Sequence, residues 1–129
     1  MIKIALLSIG GALLAFNLST APAAAQPILP DLIITSISMS PAKPTSGQAV
    51  TFNATVKNQG TAATPSGVSI GVYFFVDGNP ASTSDNNTTS LAPGASVVLT
   101  ANKGPGDGKS GGSSTWLASA GTHTVLAKV

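Results

Sequence analysis

In residues 48–62, QAVTFNATVKNQGTA, positions 50–57 alternate without a break. Val50, Phe52, Ala54 and Val56 fall on one parity, and Thr51, Asn53, Thr55 and Lys57 on the other. A side-chain period of two places these sets on opposite faces of a strand, so the first is read as core-facing and the second as wet. Asn58-Gln59-Gly60 ends the run, with Gly60 expected to supply the positive φ of a turn.

Two further phrases follow in order. In residues 68–79, VSIGVYFFVDGN, the residues Val68, Ile70, Val72, Phe74 and Val76 share a parity, with Tyr73 and Phe75 on the other face. Asp77-Gly78 directly after such a run is a strong hairpin-turn signal. In residues 90–102, SLAPGASVVLTAN, the pair Pro93-Gly94 marks a tight turn, and Val97 and Leu99 open another strand. Upstream, Leu32 and Ile34 lie on one parity and Ile37 and Met39 on the other. This slip near Ser36 predicts a β-bulge or a strand that changes sheets. Residues 81–89 are polar and read as a loop with one short edge strand, and 103–114 as a Gly- and Ser-rich connection. Gly121 opens a last strand on which His123, Val125, Ala127 and Val129 share a parity. No helical period and no internal repeat appears after residue 25.

The first 25 residues have a secretory layout: Lys3, an apolar stretch over 4–18, and Ala23-Ala24-Ala25 before Gln26. The apolar stretch is shorter than the about 20 residues that span a bilayer. The expectation is a signal peptide over 1–25, cleaved after Ala25, with no membrane span afterwards. The protein is then secreted, periplasmic or at the cell surface. With no cysteine in the chain, a lipid-anchored lipoprotein is excluded and packing alone has to stabilise the domain. The remaining residues, 26–129, suit one sandwich domain of about 100 residues. Their charges are Lys43, Lys57, Lys103, Lys109 and Lys128 against Asp31, Asp77, Asp85 and Asp107, without Arg or Glu. These are scattered, so the electrostatic footprint of a nucleic-acid binder is missing.

The segment PDLIITSISMSPAKPTSGQAVTFNATVKNQGTAATPSG, then VYFFVDGN, SLAPGASVVLTAN and AGTHTVLAKV, together resemble the bacterial cell-adhesion-related domain family, CARDB. The phrases Asn58-Gln59-Gly60-Thr61, Val76-Asp77-Gly78 and Leu91-x-Pro93-Gly94 carry the likeness, which covers residues 30–129. The resemblance implies a seven-stranded immunoglobulin-like, Greek-key β-sandwich from an exported or surface protein, often one with carbohydrate-active neighbours. It also implies an acidic, Asn-rich turn and a final strand beyond Val129. On that basis the domain is expected to be C-terminally truncated, leaving residues 122–129 with unpaired backbone groups on one side. Such an edge is covered by a strand supplied in trans or by the first strand bending over it.

Candidate chemistry is sparse. His123 is the only histidine, and with no Gly-x-Ser-x-Gly elbow it is read as a structural strand residue, not a catalytic base. One His and no Cys exclude a conventional zinc site. Asp77, Asn79, Asp85, Asn86, Asn87 and Asp107 are loop oxygen ligands, but without calcium-loop spacing or a Glu, so no metal site is assigned. Trp116 and Tyr73 suit an aromatic platform for sugar, yet Trp116 is expected to plug the core, and Tyr73 and Phe75 to fill a second layer. The sequons at Asn53, Asn86 and Asn87 are read as chance, and residues 104–110 lack the spacing of a phosphate loop. No catalytic, cofactor or metal residue is therefore assigned. The expected function is an exported, non-catalytic binding or adhesion module. Its partner would be a protein or polysaccharide surface, met through the end loops or the 122–129 edge. The alternative is a structural spacer or a fragment of a larger exported protein. A hydrolase is disfavoured by the lack of Glu, Cys and a recognisable acid–base pair.

Overall fold

The computed structural model describes residue 25 and residues 27–104 and 113–129. Residues 1–24 of the expected signal peptide, Gln26 and the Gly-rich 105–112 segment, Asp107 and Lys109 included, lie outside them. Seven strands are formed: β1 (Leu32–Ser40), β2 (Ala49–Asn58), β3 (Ile70–Val76), β4 (Asn79–Asn87), β5 (Ser96–Thr100), β6 (Trp116–Leu117) and β7 (Val125–Lys128). Two antiparallel sheets face each other. One runs β1-β2-β5, with β6 pairing the first residues of β2, and the other runs β4-β3-β7. No described residue is helical, and no described helix is long and apolar enough to cross a membrane.

The alternation of β2 becomes the core as expected. Val50, Phe52, Ala54 and Val56 are buried, and they meet Ile70, Val72, Phe74 and Val76 of β3 across the interior. Phe52 and Phe74 stack with centroids 5.6 Å apart and join the sheets at their centre. The slip in β1 is a bulge: pairing with β2 jumps from Ile34↔Val56 to Ser36↔Thr55. The bulge restores the face of the strand, so Leu32, Ile34, Ile37 and Met39 all pair with inward residues of β2. β1 stays on β2 as far as Ser40↔Thr51, so it does not change sheets.

Asp77-Gly78 makes the expected two-residue hairpin between Val76 and Asn79, with φ of 51° and 80°. Both residues being left-handed is the requirement of a type I′ turn. Gly94 takes a φ of 78°, and Ala95 N–H donates to Ala92 O to close the Pro93-Gly94 turn.

Several expectations change. Residues 79–87 form a nine-residue edge strand where a loop with one short edge strand was expected, and Ser82 and Ser84 take inward positions that apolar residues usually hold. Val68 precedes β3 and is exposed. Tyr73 and Phe75 do not fill a second layer; they lie on the outward face of β3, with Lys128 Nζ 5.1 Å from the Phe75 ring centroid. Gly60 is not left-handed. Its backbone is crossed by the chain entering β1, where a Cβ would lie 2.4 Å from both Leu29 O and Asp31 N. Glycine is needed there for close approach, not for its φ.

Candidate functional site

Three places on the sandwich combine chemistry with access. The first begins at the β3–β4 turn. Asp77 is held there in a left-handed conformation, and the last connection brings His123 beside it. His123 Nδ1–H donates to Asp77 Oδ2 at 2.7 Å, while Thr124 N–H donates to Asp77 Oδ1 at 2.9 Å. On the other side of the ring, Nε2 lies 3.1 Å from Ser119 Oγ and 3.2 Å from Ser119 O. The Trp116 ring meets His123 edge-on at 5.0 Å and stacks on Phe52 at 6.3 Å, so the cluster rests on the core.

Each partner shifts the other. The hydrogen bond from His123 holds the Asp77 carboxyl below its ordinary value, helped by the Thr124 N–H. The carboxylate of Asp77, then the Ser119 carbonyl, raise the imidazole above its ordinary value. Sequence reading missed this pair because its members lie 46 residues apart; the fold brings the carboxylate, imidazole and hydroxyl of a triad into contact. The geometry serves better as a latch than as a nucleophile site. Protonated Nε2 has Ser119's own carbonyl to donate to, which holds the imidazolium instead of freeing it as a base. Both carboxylate oxygens are engaged in tying β3 to the start of β7.

The second place is a polar cleft of about 500 Å3 at the ends of β4 and β5, lined by Asn86, Asn87, Thr88, Thr89, Thr100 and Asn102 among others. Its rim holds Asp85, which pairs with Lys103 Nζ at 2.5 Å and is thereby lowered in pKa. The Asp85-Asn86-Asn87 run singled out for calcium thus lies here, its charge already matched by Lys103. Asp77 and Asn79 lie at the β3–β4 hairpin, with Asp77 committed to His123. Among the described residues no three His, Cys, Asp or Glu side chains gather as a metal site. Nor do Trp116 and Tyr73 form a platform, since Trp116 packs inward against Phe52 while Tyr73 is exposed on the other sheet.

The third is an apolar groove of about 410 Å3 between the two sheets, lined by Ile37, Ser38, Met39 and Ala42 from the β1 side, Phe52 and Val125. It runs beside β7, whose one strand partner among the described residues is β3.

The motif that carries the sequence likeness has a physical role beside these sites. Asn58 is fully buried and uses all four of its side-chain hydrogen bonds. Oδ1 accepts from Asp31 N–H at 3.1 Å and Gly60 N–H at 3.0 Å. Nδ2 donates to Ala62 O at 2.7 Å and Leu91 O at 2.9 Å. Gly94 N–H donates to the Asn58 carbonyl at 2.7 Å. One amide thus ties the entry to β1, the loop after β2 and the Leu91-x-Pro93-Gly94 turn into one end of the sandwich.

Comparison with known proteins agrees with this architecture. The family model CARDB, an immunoglobulin-like domain associated with bacterial cell adhesion, matches residues 29–126. No catalytic domain is detected in the chain. No curated protein and no solved structure matches it. With the match spanning β1 to β6 and entering β7, and with the family's three motif phrases placed at the Asn58 hub, the Asp77-Gly78 hairpin and the Pro93-Gly94 turn, the chain belongs to the CARDB family.

Proposed function

We propose that this domain is a non-catalytic binding module that works outside the cytoplasm, in adhesion at a surface. The observation that carries the reading is the extent of the family match. Residues 29–126 take in nearly the whole sandwich, so the adhesion-associated fold is this domain itself. The secretory layout of residues 1–25 supports an extracytoplasmic place. The amide- and hydroxyl-lined cleft at Asn86–Asn102 is suited to hydrogen-bonding a neutral, hydroxyl-rich surface such as a polysaccharide.

The test is a pull-down of labelled chain from Gln26 onward with intact bacterial envelopes and insoluble polysaccharides. Saturable binding that survives raised salt is expected, because few charges are available to be screened. Absence of binding to every such surface would leave the spacer reading in its place. N-terminal sequencing of the protein recovered outside the cytoplasm is expected to begin at Gln26.

A further inference from the structure

The fold treats the three sequons differently. Asn53-Ala54-Thr55 runs along β2, which is paired on both sides, at Ser38↔Asn53 and Asn53↔Thr100. Its polar atoms are engaged as well: Asn53 Oδ1 accepts from Thr100 Oγ1 at 2.7 Å, and Thr55 Oγ1 accepts from Ser36 Oγ at 2.8 Å. An enzyme cannot draw this segment out without parting β2 from β1 and β5. Asn87-Thr88-Thr89 stands elsewhere. Asn87 is the last residue of β4, the edge strand of its sheet, and Thr88 and Thr89 leave the strand exposed. A bulge precedes it, since pairing steps from Val72↔Ser84 to Ile70↔Asn87. Bulges of this kind loosen the ladder and re-aim the side chains beside them. The chain also turns back within the sequon: Thr89 N–H donates to Asn87 Oδ1 at 3.0 Å, an Asx turn. Asn86 opens an overlapping sequon, Asn86-Asn87-Thr88, but lies within β4 and has no such turn among the described residues.

We propose that Asn87 is a glycosylation site, the acceptor amide for a lipid-diphosphate-linked oligosaccharide delivered by a membrane oligosaccharyltransferase. This site goes beyond the binding reading and rests on its extracytoplasmic place, where such acceptors are modified. The turn suits the chemistry. A hydrogen bond to Oδ1 favours negative charge on that oxygen and so eases loss of a proton from Nδ2. In the transfer Nδ2 gives that proton to a base of the transferase and bonds to the anomeric carbon of the first sugar. The bond from that carbon to the diphosphate oxygen breaks, and the lipid diphosphate leaves with the electron pair. Nothing is oxidised or reduced. Asp85, two residues before Asn87, adds an anionic handle for the enzyme; its pair with Lys103 is exposed and costs little to part. There is also room for the product. Asn87 lines the polar cleft of about 500 Å3, where Thr100 and Asn102 offer a hydroxyl and an amide to the first sugars. The modified domain then presents its own glycan where the bare one presents the cleft. A bulky group at the end of an edge strand also keeps other strands from pairing with it.

The test is production of the full chain in bacteria that carry a general N-oligosaccharyltransferase and its lipid-linked donor. The recovered protein is weighed intact and after proteolysis. One added glycan is expected, on the peptide that holds Asn87. N87Q and T89A are expected to lower the modified fraction about tenfold or more. N53Q and N86Q leave it unchanged, and so does T88A, which removes the overlapping sequon and controls for damage to the loop. In parallel, the purified full chain is offered to the detergent-solubilised transferase and donor, which tests the site without export. A folded chain left unmodified by a transferase that modifies a reference acceptor would overturn the assignment. So would a glycan found on Asn53 or Asn86. A chain found outside the cytoplasm but unmodified sinks the site and leaves the extracytoplasmic reading standing. A chain kept inside the cell yet modified at Asn87 in detergent does the reverse.

Discussion

Asp77 and His123 lie at the two ends of a 2.7 Å hydrogen bond that fastens the β3–β4 hairpin to the segment opening β7. Because Thr124 N–H binds the second oxygen of the same carboxylate, the latch fixes where β7 begins. The position of β7 sets both the core contact of Val125 and the groove beside it.

The latch makes stability depend on pH at both ends of its range. His123 is raised in the folded chain, so its contribution is complete below the ordinary imidazole value of about 6.5 and is lost as pH rises through the raised value. Asp77 is lowered, so its contribution is complete above the ordinary carboxylate value of about 3.9 and is lost as pH falls through the depressed one. Stability due to the pair is thus greatest between those two ordinary values. Thermal melts of wild type and H123Q from acid to mildly alkaline pH are expected to converge at the alkaline end and to differ most in the window. Parallel curves across the whole range would show that the pair does not form.

Asn58 is the position where one side chain matters most. Asn58→Ala leaves Asp31 N–H, Gly60 N–H, Ala62 O and Leu91 O without their partner at a buried point. A loss of about 3 kcal/mol is expected, lowering Tm by roughly 10–20 °C in a domain of this size. Asn58→Asp is expected to be nearly as damaging, since it keeps the acceptor for Asp31 and Gly60 but sets an oxygen against two carbonyls. Chemical denaturation of the three proteins measures both effects. A loss within error for Asn58→Ala would remove the hub from the account.

What could be read from sequence divides along these same residues. The β2 alternation, the bulge near Ser36 and the Asp77-Gly78 and Pro93-Gly94 turns were legible because each is decided by neighbours in the chain. β4 was not, because its inward positions are filled by Ser82 and Ser84, which carry no hydrophobic period. The buried role of Asn58 was hidden behind its place at a strand end, since its partners Asp31 and Leu91 lie 27 and 33 residues away. The Asp77–His123–Ser119 cluster was likewise invisible: contact between residues 46 apart in the chain leaves no local trace. Gly60 was singled out correctly but for the wrong reason, because crowding by a distant segment looks the same in sequence as a turn.

Two glycines separate these reasons by experiment. Gly60→Ala places a methyl against backbone atoms of residues 29–31, which cannot rotate away. Gly78→Ala meets nothing within 4 Å and bears only the strain of its φ of 80°. About 1–2 kcal/mol is expected for Gly78→Ala, and a larger loss for Gly60→Ala. Gly60→Ala is also expected to free the β1 entry. Exchange should quicken at Gln59 and Thr61, whose N–H groups donate to Asp31 O and Leu29 O. Equal losses with unchanged exchange would mean that the close crossing at Gly60 is not made.

The three hydroxyls of Ser82, Thr83 and Ser84 offer a change in the opposite direction. All are buried, and their side-chain oxygens have no hydrogen-bond partner. A buried polar group without a partner costs about 1–3 kcal/mol, so its removal without a change of shape should strengthen the fold. Ser84→Ala and Ser82→Ala are each expected to raise stability by about 1 kcal/mol, an unusual sign for truncation inside a core. Thr83→Val tests the same effect on the residue that pairs with Lys103, where the backbone bridge is unaffected by the side chain. Urea melts distinguish the outcomes. If all three substitutions destabilise, the hydroxyls are satisfied by water or by rearranged neighbours in solution. The interior of β4 would then be hydrated, and its polar composition would reflect that hydration instead of an unfilled core.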